Sequence, residues 1–140
     1  MSDKASCPFC NLGDRILKNN KYANVLLSNP HKVPGHFLIT PKRHVEKPWE
    51  LTGKELADIF ELIFFVEQKI LGELGDGVDI RQNYRPFLSQ SRLKVDHVHF
   101  HVYPRSENDY LYQVSEQFET DLFVELDSKE AEAVAKLLAD

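Results

Sequence analysis

Five residues of 140 pose the chemical question. His97, His99 and His101 alternate in Asp96-His97-Val98-His99-Phe100-His101-Val102-Tyr103-Pro104-Arg105, and Cys7 and Cys10 form a CxxC near the start. Along an extended strand, side chains alternate faces, so the three imidazoles share one face and Val98, Phe100 and Val102 share the other. Successive histidines then attach about 7 Å apart, close enough for neighbours to reach one phosphate or one metal. Three readings follow: a solvated polar face, a metal-binding strand in which HxH supplies two ligands, or catalysis on phosphorus. For the last, a neutral imidazole can act as nucleophile, base or acid near neutral pH. The CxxC is also open between a redox pair, half of a zinc site and a coincidence. No strand precedes it, which sets it apart from the thioredoxin-like placement.

The elements that must position these residues can be read from periodicity. Tyr22–Ser28 and His36–Thr40 read as strands of an antiparallel hairpin, its loop opened by Asn29-Pro30-His31 and closed by Pro34-Gly35. Thr52-Gly53-Lys54-Glu55 is a capping-box signature. After it, Leu56, Ile59, Phe60, Ile63, Phe64, Val66, Ile70, Leu71 and Leu74 recur at helical spacing. They predict a helix of about 20 residues that ends near Gly72–Gly77 and packs its broad apolar face on a sheet. Val78–Tyr84 alternates as a third strand, and Lys94–Tyr103 is the fourth, closed by Pro104. A last helix is expected from near Ser128, carrying Ala131, Val134, Ala135, Leu137 and Leu138. The order β-β-α-β-β-α predicts an α+β class: an antiparallel sheet with a long helix and a C-terminal helix, in a single domain over residues 1–140.

Bulk properties narrow the classes. An apolar share of 42% and a charged share of 28% are those of an ordinary globular chain. No apolar run approaches the ~20 residues of a membrane span, and the start lacks the pattern of a signal peptide. With only two cysteines, a reducing, cytoplasmic compartment is expected. A net charge of −5 argues against general nucleic-acid binding. All six glycines precede residue 78, so the second half holds no glycine-rich phosphate loop of the Walker or Rossmann kind.

The pattern His-φ-His-φ-His-φ-φ, with Val98, Phe100, Val102 and Tyr103 as the apolar positions, resembles the signature of the histidine triad (HIT) superfamily. Pro34-Gly35-His36-Phe37-Leu38-Ile39-Thr40-Pro41-Lys42-Arg43-His44 is similar to the family's PGH…PK.H segment, Cys7-Pro8-Phe9-Cys10 to the CxFC of many bacterial members, and Tyr103-Pro104-Arg105 to the tail after the triad. The likeness spans roughly residues 7–105. It implies a nucleotide hydrolase or transferase acting at the α-phosphate, with His99 as nucleophile and a nucleotidyl-histidine intermediate. His101 and His36 complete the catalytic cluster. It further implies a structural zinc held by Cys7, Cys10, His44 and His97, a purine nucleoside phosphate derivative as substrate, and a homodimer. Dinucleoside polyphosphate hydrolysis is favoured, with nucleoside phosphoramidate hydrolysis close behind. The reading from another class is a catalytically weak, zinc-stabilised nucleotide-binding module, against which the intact middle histidine argues.

Departures mark where this chain differs. The family's Gly-Gln-Ser/Thr before the triad aligns with Arg92-Leu93-Lys94-Val95-Asp96, so Lys94 stands where a hydroxyl is usual. Asn83, Gln90 and Lys94 are the substrate-binding candidates. Ser28 or Asn29 occupies the region of the usual ribose-holding acid. Local positive field is expected from Arg85, Arg92 and Arg105, and His31 has no assigned part.

Overall fold

Thr52 and Glu55 start the long helix as their spacing predicts. In the structure, a computed structural model that describes residues 4–139, Thr52 Oγ1 accepts from the Glu55 N–H (3.1 Å). Glu55 Oε1 accepts from the Thr52 N–H (2.9 Å). Two of the orphan donors at the helix start are thereby satisfied. Helix α1 runs Gly53–Ile70 and buries Ile59, Leu62, Ile63, Val66 and Ile70. Each such side chain contributes about 1.5–3 kcal/mol through removal from water. The face is narrower than the periodicity implied: Leu56 is 43% and Phe64 52% exposed, while Leu62 joins the core.

Glu55 does a second job. Although buried, it receives Arg43 Nε at 3.0 Å and Arg43 Nη2 at 2.7 Å. The Arg43 hydrogen bonds, with those from Thr52, hold its carboxyl at about 2, below the usual 4.5. Since the folded value lies below the unfolded one, the stabilisation is full above about pH 5 and fades as pH falls toward 2. Glu55→Gln is expected to cost about 2 kcal/mol near neutral pH, the scale of hydrogen bonds to a charged group. Urea unfolding of both proteins near pH 7 and near pH 2 checks this, because the gap should close in acid.

The sheet has five strands: β1 Lys18–Asn19, β2 Ala23–Leu27, β3 Phe37–Pro41, β4 Gly77–Gln82 and β5 Phe100–Arg105. Their order is β1-β2-β3-β5-β4, and every neighbouring pair is antiparallel. With α1 on the sheet, this is the expected α+β architecture. The short β1 was not anticipated. Val98, Phe100 and Val102 enter the core beneath α1 with Ala23, Val25 and Ile39. On the opposite face, Leu26 and Leu38 pack with Cys7, Phe9 and Leu12, so the N-terminal segment covers that side.

The histidine strand departs from expectation at both ends. Its ladder begins at Phe100 rather than Lys94 and continues through Pro104 to Arg105. Ser91 and Lys94 instead close a tight turn on each other (2.8 and 3.3 Å). The His97 carbonyl is occupied by the His99 side chain and the Val98 N–H by Val45 O, which breaks regular pairing there. Pro104 is tolerated because β3 ends opposite Val102, leaving β5 paired with β4 alone beyond it.

The chain forms two compact units, Met1–Asp109 with the sheet and α1, and Tyr110–Asp140. The second contains α2 (Tyr110–Val114), a 3-10 turn over Glu116–Leu122 and α3 (Ser128–Ala135). α3 begins where expected, with Asp127 accepting from the Glu130 N–H (3.2 Å). Among the described residues, no helix is long and apolar enough to cross a membrane.

Candidate active site and metal centre

Hydrogen-bond connectivity assigns the histidine protons, because backbone carbonyls and carboxylates only accept and backbone N–H groups only donate. His97 Nε2 donates to Pro41 O (2.8 Å), which leaves Nδ1 as a lone pair facing Cys7 Sγ (3.4 Å) and Cys10 Sγ (3.6 Å). His44 Nε2 donates to Glu46 Oε2 (2.8 Å), which leaves its Nδ1 facing Cys10 Sγ (3.3 Å). Thus two sulfurs and two imidazole lone pairs lie within 4.8 Å of one another and can hold a metal ion. The segment that brings the sulfurs is itself built in. The Cys10 N–H returns to Cys7 O (3.2 Å), Asn11 Nδ2 donates to the same oxygen (2.8 Å), and Phe9 lies edge-on to the rings of His97 and His99. Burial and the adjacent Cys7 push the Cys10 thiol up to about 11, so a bound cation would be what draws Cys10 into thiolate form.

The same logic orders the other three histidines. His99 Nδ1 donates to His97 O (2.7 Å), so its Nε2 carries the free lone pair. The Lys32 N–H donates to His36 Nδ1 (3.2 Å), so His36 Nε2 donates to His101 Nδ1 (2.9 Å). His101 in turn presents an Nε2–H donor. His99 and His101 rings lie 4.9 Å apart between centroids. Burial lowers the pKa of all three, His36 to about 4 and His101 to about 3 with help from neighbouring positive charge. At neutral pH the site therefore offers an uncharged imidazole lone pair beside an uncharged donor.

Face alternation survives even where the ladder does not. His97, His99 and His101 all sit opposite the α1 core, and His36 joins them from the start of β3. The substrate-binding candidates divide differently. Asn83 is half-buried just past β4. Gln90 Oε1 accepts from the Asp96 N–H (2.9 Å), and Lys94 pairs with Asp96, so both brace the 90–96 loop. Arg105 is not free to supply local field: it is ion-paired with Asp79 and with Asp109 (2.7 Å). Arg92 reaches Asn29 Oδ1 at 3.5 Å. Sequence reasoning missed Lys32 and Arg81, which lie within 5.7 and 6.0 Å of the Tyr103 ring centroid beside His101. The β4–β5 register places Arg81 there, and the path of the β2–β3 loop places Lys32.

Comparison with known proteins is consistent with this geometry. A family model described as the HIT domain matches residues 11–108. The chain is 31% identical over 125 residues to the asymmetrical bis(5'-nucleosyl)-tetraphosphatase of Schizosaccharomyces pombe, covering 79% of this chain but only 63% of that protein. It is 31% identical over 113 residues to an adenosine 5'-monophosphoramidase of the same organism, covering 75% of this chain and 78% of that one. Its fold matches the crystal structure of a HIT family member from Bacillus subtilis with a TM-score of 0.70 at 21% identity, over 96% of this chain and 95% of that one.

Proposed function

The chain belongs to the HIT family, and from that premise we propose that it hydrolyses nucleotide derivatives at the α-phosphate through His99. The proposed substrates are dinucleoside polyphosphates or nucleoside phosphoramidates, the classes named for its relatives. One observation carries the reading: His99 Nδ1–H donates to the His97 carbonyl, leaving Nε2 as a neutral nucleophile.

Nε2 attacks the α-phosphorus, the bond from phosphorus to the leaving group breaks with its electron pair on that group, and a nucleotidyl-histidine forms. The positive charge gained by His99 is eased by the His97 carbonyl at Nδ1. His101 Nε2–H donates to the phosphoryl oxygen or the departing atom, and His36 keeps it in that tautomer. Water then displaces the histidine and releases the nucleoside monophosphate. Dividing one displacement into two lowers each barrier, and donors fixed in place stabilise the developing charge.

Zinc is the metal that the Cys7, Cys10, His44 and His97 set fits. Ligand bonds of about 2.3 Å to sulfur and 2.0 Å to nitrogen imply sulfur–nitrogen edges of about 3.5 Å in a tetrahedron. The two closest sulfur–nitrogen pairs lie at 3.3 and 3.4 Å. When bound it would serve structurally, since four protein ligands close the coordination shell. Cysteines kept free for this purpose suit a cytoplasmic setting. The exposed Leu56 and Phe64 on α1 and Ile80 on edge strand β4 offer a surface for a second copy, which light scattering would reveal as a homodimer.

The test is to mix the protein with diadenosine tetraphosphate or adenosine 5'-phosphoramidate labelled at the α-phosphate and quench with alkaline denaturant, which spares a phosphorus–nitrogen bond. A labelled protein that decays in step with nucleoside monophosphate release is expected. Absence of both label and turnover would overturn the reading.

A further inference from the structure

Arg81 stands directly across the β4–β5 ladder from His101, so the two side chains share a sheet face. Tyr103 follows on that face, buried, with its ring stacked on His101 at 5.7 Å and 4.4 Å from the ring of His36. Lys32 Nζ lies 5.7 Å and Arg81 Cζ 6.0 Å from the centroid of that same ring. Lys32 comes from the β2–β3 loop, where its backbone N–H also holds His36. Two separate segments, the β2–β3 loop and β4, thus bring two cations to the Tyr103 ring that packs on His36 and His101.

Neither cation has a carboxylate partner among the described residues. Asp79, the acid on the same strand two residues from Arg81, is taken by Arg105. Burial, Arg81 and Arg85 together lower the Lys32 pKa, which places the three positive charges in one field. Like charges gathered without a counter-ion destabilise one another, and an anion entering between them relieves that cost. An Arg fork and a Lys ammonium are also the donors best suited to phosphate oxygens.

We propose that Lys32 and Arg81 form a subsite for the phosphates beyond the α-phosphate, making nucleoside or dinucleoside polyphosphates the preferred substrates over phosphoramidates. This rests on the hydrolase reading above and names the substrate class for that site. As Nε2 of His99 bonds to the α-phosphorus, the bridging P–O bond breaks and its electron pair leaves on the polyphosphate. Arg81 and Lys32 meet that charge beside the His101 donor. A phosphoramidate, whose leaving group is an amine, gains nothing from either cation.

The experiment compares kcat/KM for diadenosine tetraphosphate and adenosine 5'-phosphoramidate in the parent, Arg81→Gln and Lys32→Gln proteins. Binding of inorganic tripolyphosphate is measured on the same three by calorimetry. Each substitution is expected to reduce the polyphosphate value about tenfold more than the phosphoramidate value, and to weaken tripolyphosphate binding about tenfold, the scale of one lost charge-assisted contact. Equal losses on both substrates, or undiminished tripolyphosphate binding, would overturn the subsite. A parent protein that turns over neither substrate defeats the hydrolase reading instead, and the tripolyphosphate arm still decides the subsite.

Discussion

Replacing His99 with alanine is expected to lower kcat by about 10⁴-fold or more, the scale seen when a covalent nucleophile is removed. No neighbour can take its place. His101 has its Nδ1 occupied by His36 and its Nε2 protonated, and His36 is held at both nitrogens. His97 points its lone pair at the sulfurs. Single removal of His101 or His36 should cost less, about 10²–10³-fold, because each contributes a proton donor or its alignment rather than the bond to phosphorus. Labelled nucleotidyl-protein should vanish in His99→Ala, while imidazole added to His99→Gly should restore part of the turnover. Parent-like rates in His99→Ala would refute the assignment. A melting temperature close to the parent value would show that the loss is chemical, since the His99 ring is half-buried and is tied by Nδ1 to the His97 carbonyl.

What could be read in the sequence is what depends on neighbours along the chain. The capping box occupies four consecutive residues, and Thr52 and Glu55 meet as their spacing requires. Period-two alternation put the three histidines on one face, and that survives because an extended backbone alternates even without a ladder partner. The ladder's start was not legible. It depends on which groups satisfy the backbone of 97–99, and a histidine side chain and Val45 do so. Of the two acids that hold Arg105, Asp109 is four residues away and was legible as a local partner, whereas Asp79 is 26 residues away and only the β4–β5 register joins it to Arg105. Arg81 was passed over for the same reason, and Lys32 because the path of the β2–β3 loop, not a local pattern, carries it to Tyr103. The exposure of Leu56 and Phe64 shows a related limit: helical spacing marks a stripe as apolar but does not say what covers it.

Removing metal from the cysteine–histidine cluster is expected to have the second largest effect, on stability first and on rate through stability. A metal present at a thousand times its dissociation constant stabilises the folded state by about 4 kcal/mol. In a chain of this size that corresponds to roughly 15 °C of melting temperature. Cys7→Ser should show a similar drop along with loss of bound zinc, because Cys7 is fully buried with His97 Nδ1 at 3.4 Å. The rate should fall by about 10–100-fold at temperatures where the protein stays folded. His97 links the two sites: its Nδ1 faces the sulfurs while its carbonyl fixes the His99 tautomer. Loosening His97 therefore frees His99 to turn its lone pair away from phosphorus. Glu46→Gln separates the two effects. It leaves all four ligands in place but weakens the acceptor that orients His44, so zinc affinity measured by chelator competition should fall about tenfold, as for other outer-shell partners. With zinc in excess, its melting temperature and kcat should return toward the parent values, whereas those of Cys7→Ser should not. A chelated protein that melts and turns over like the untreated one would show that the cluster neither holds the N-terminal segment nor orients the nucleophile.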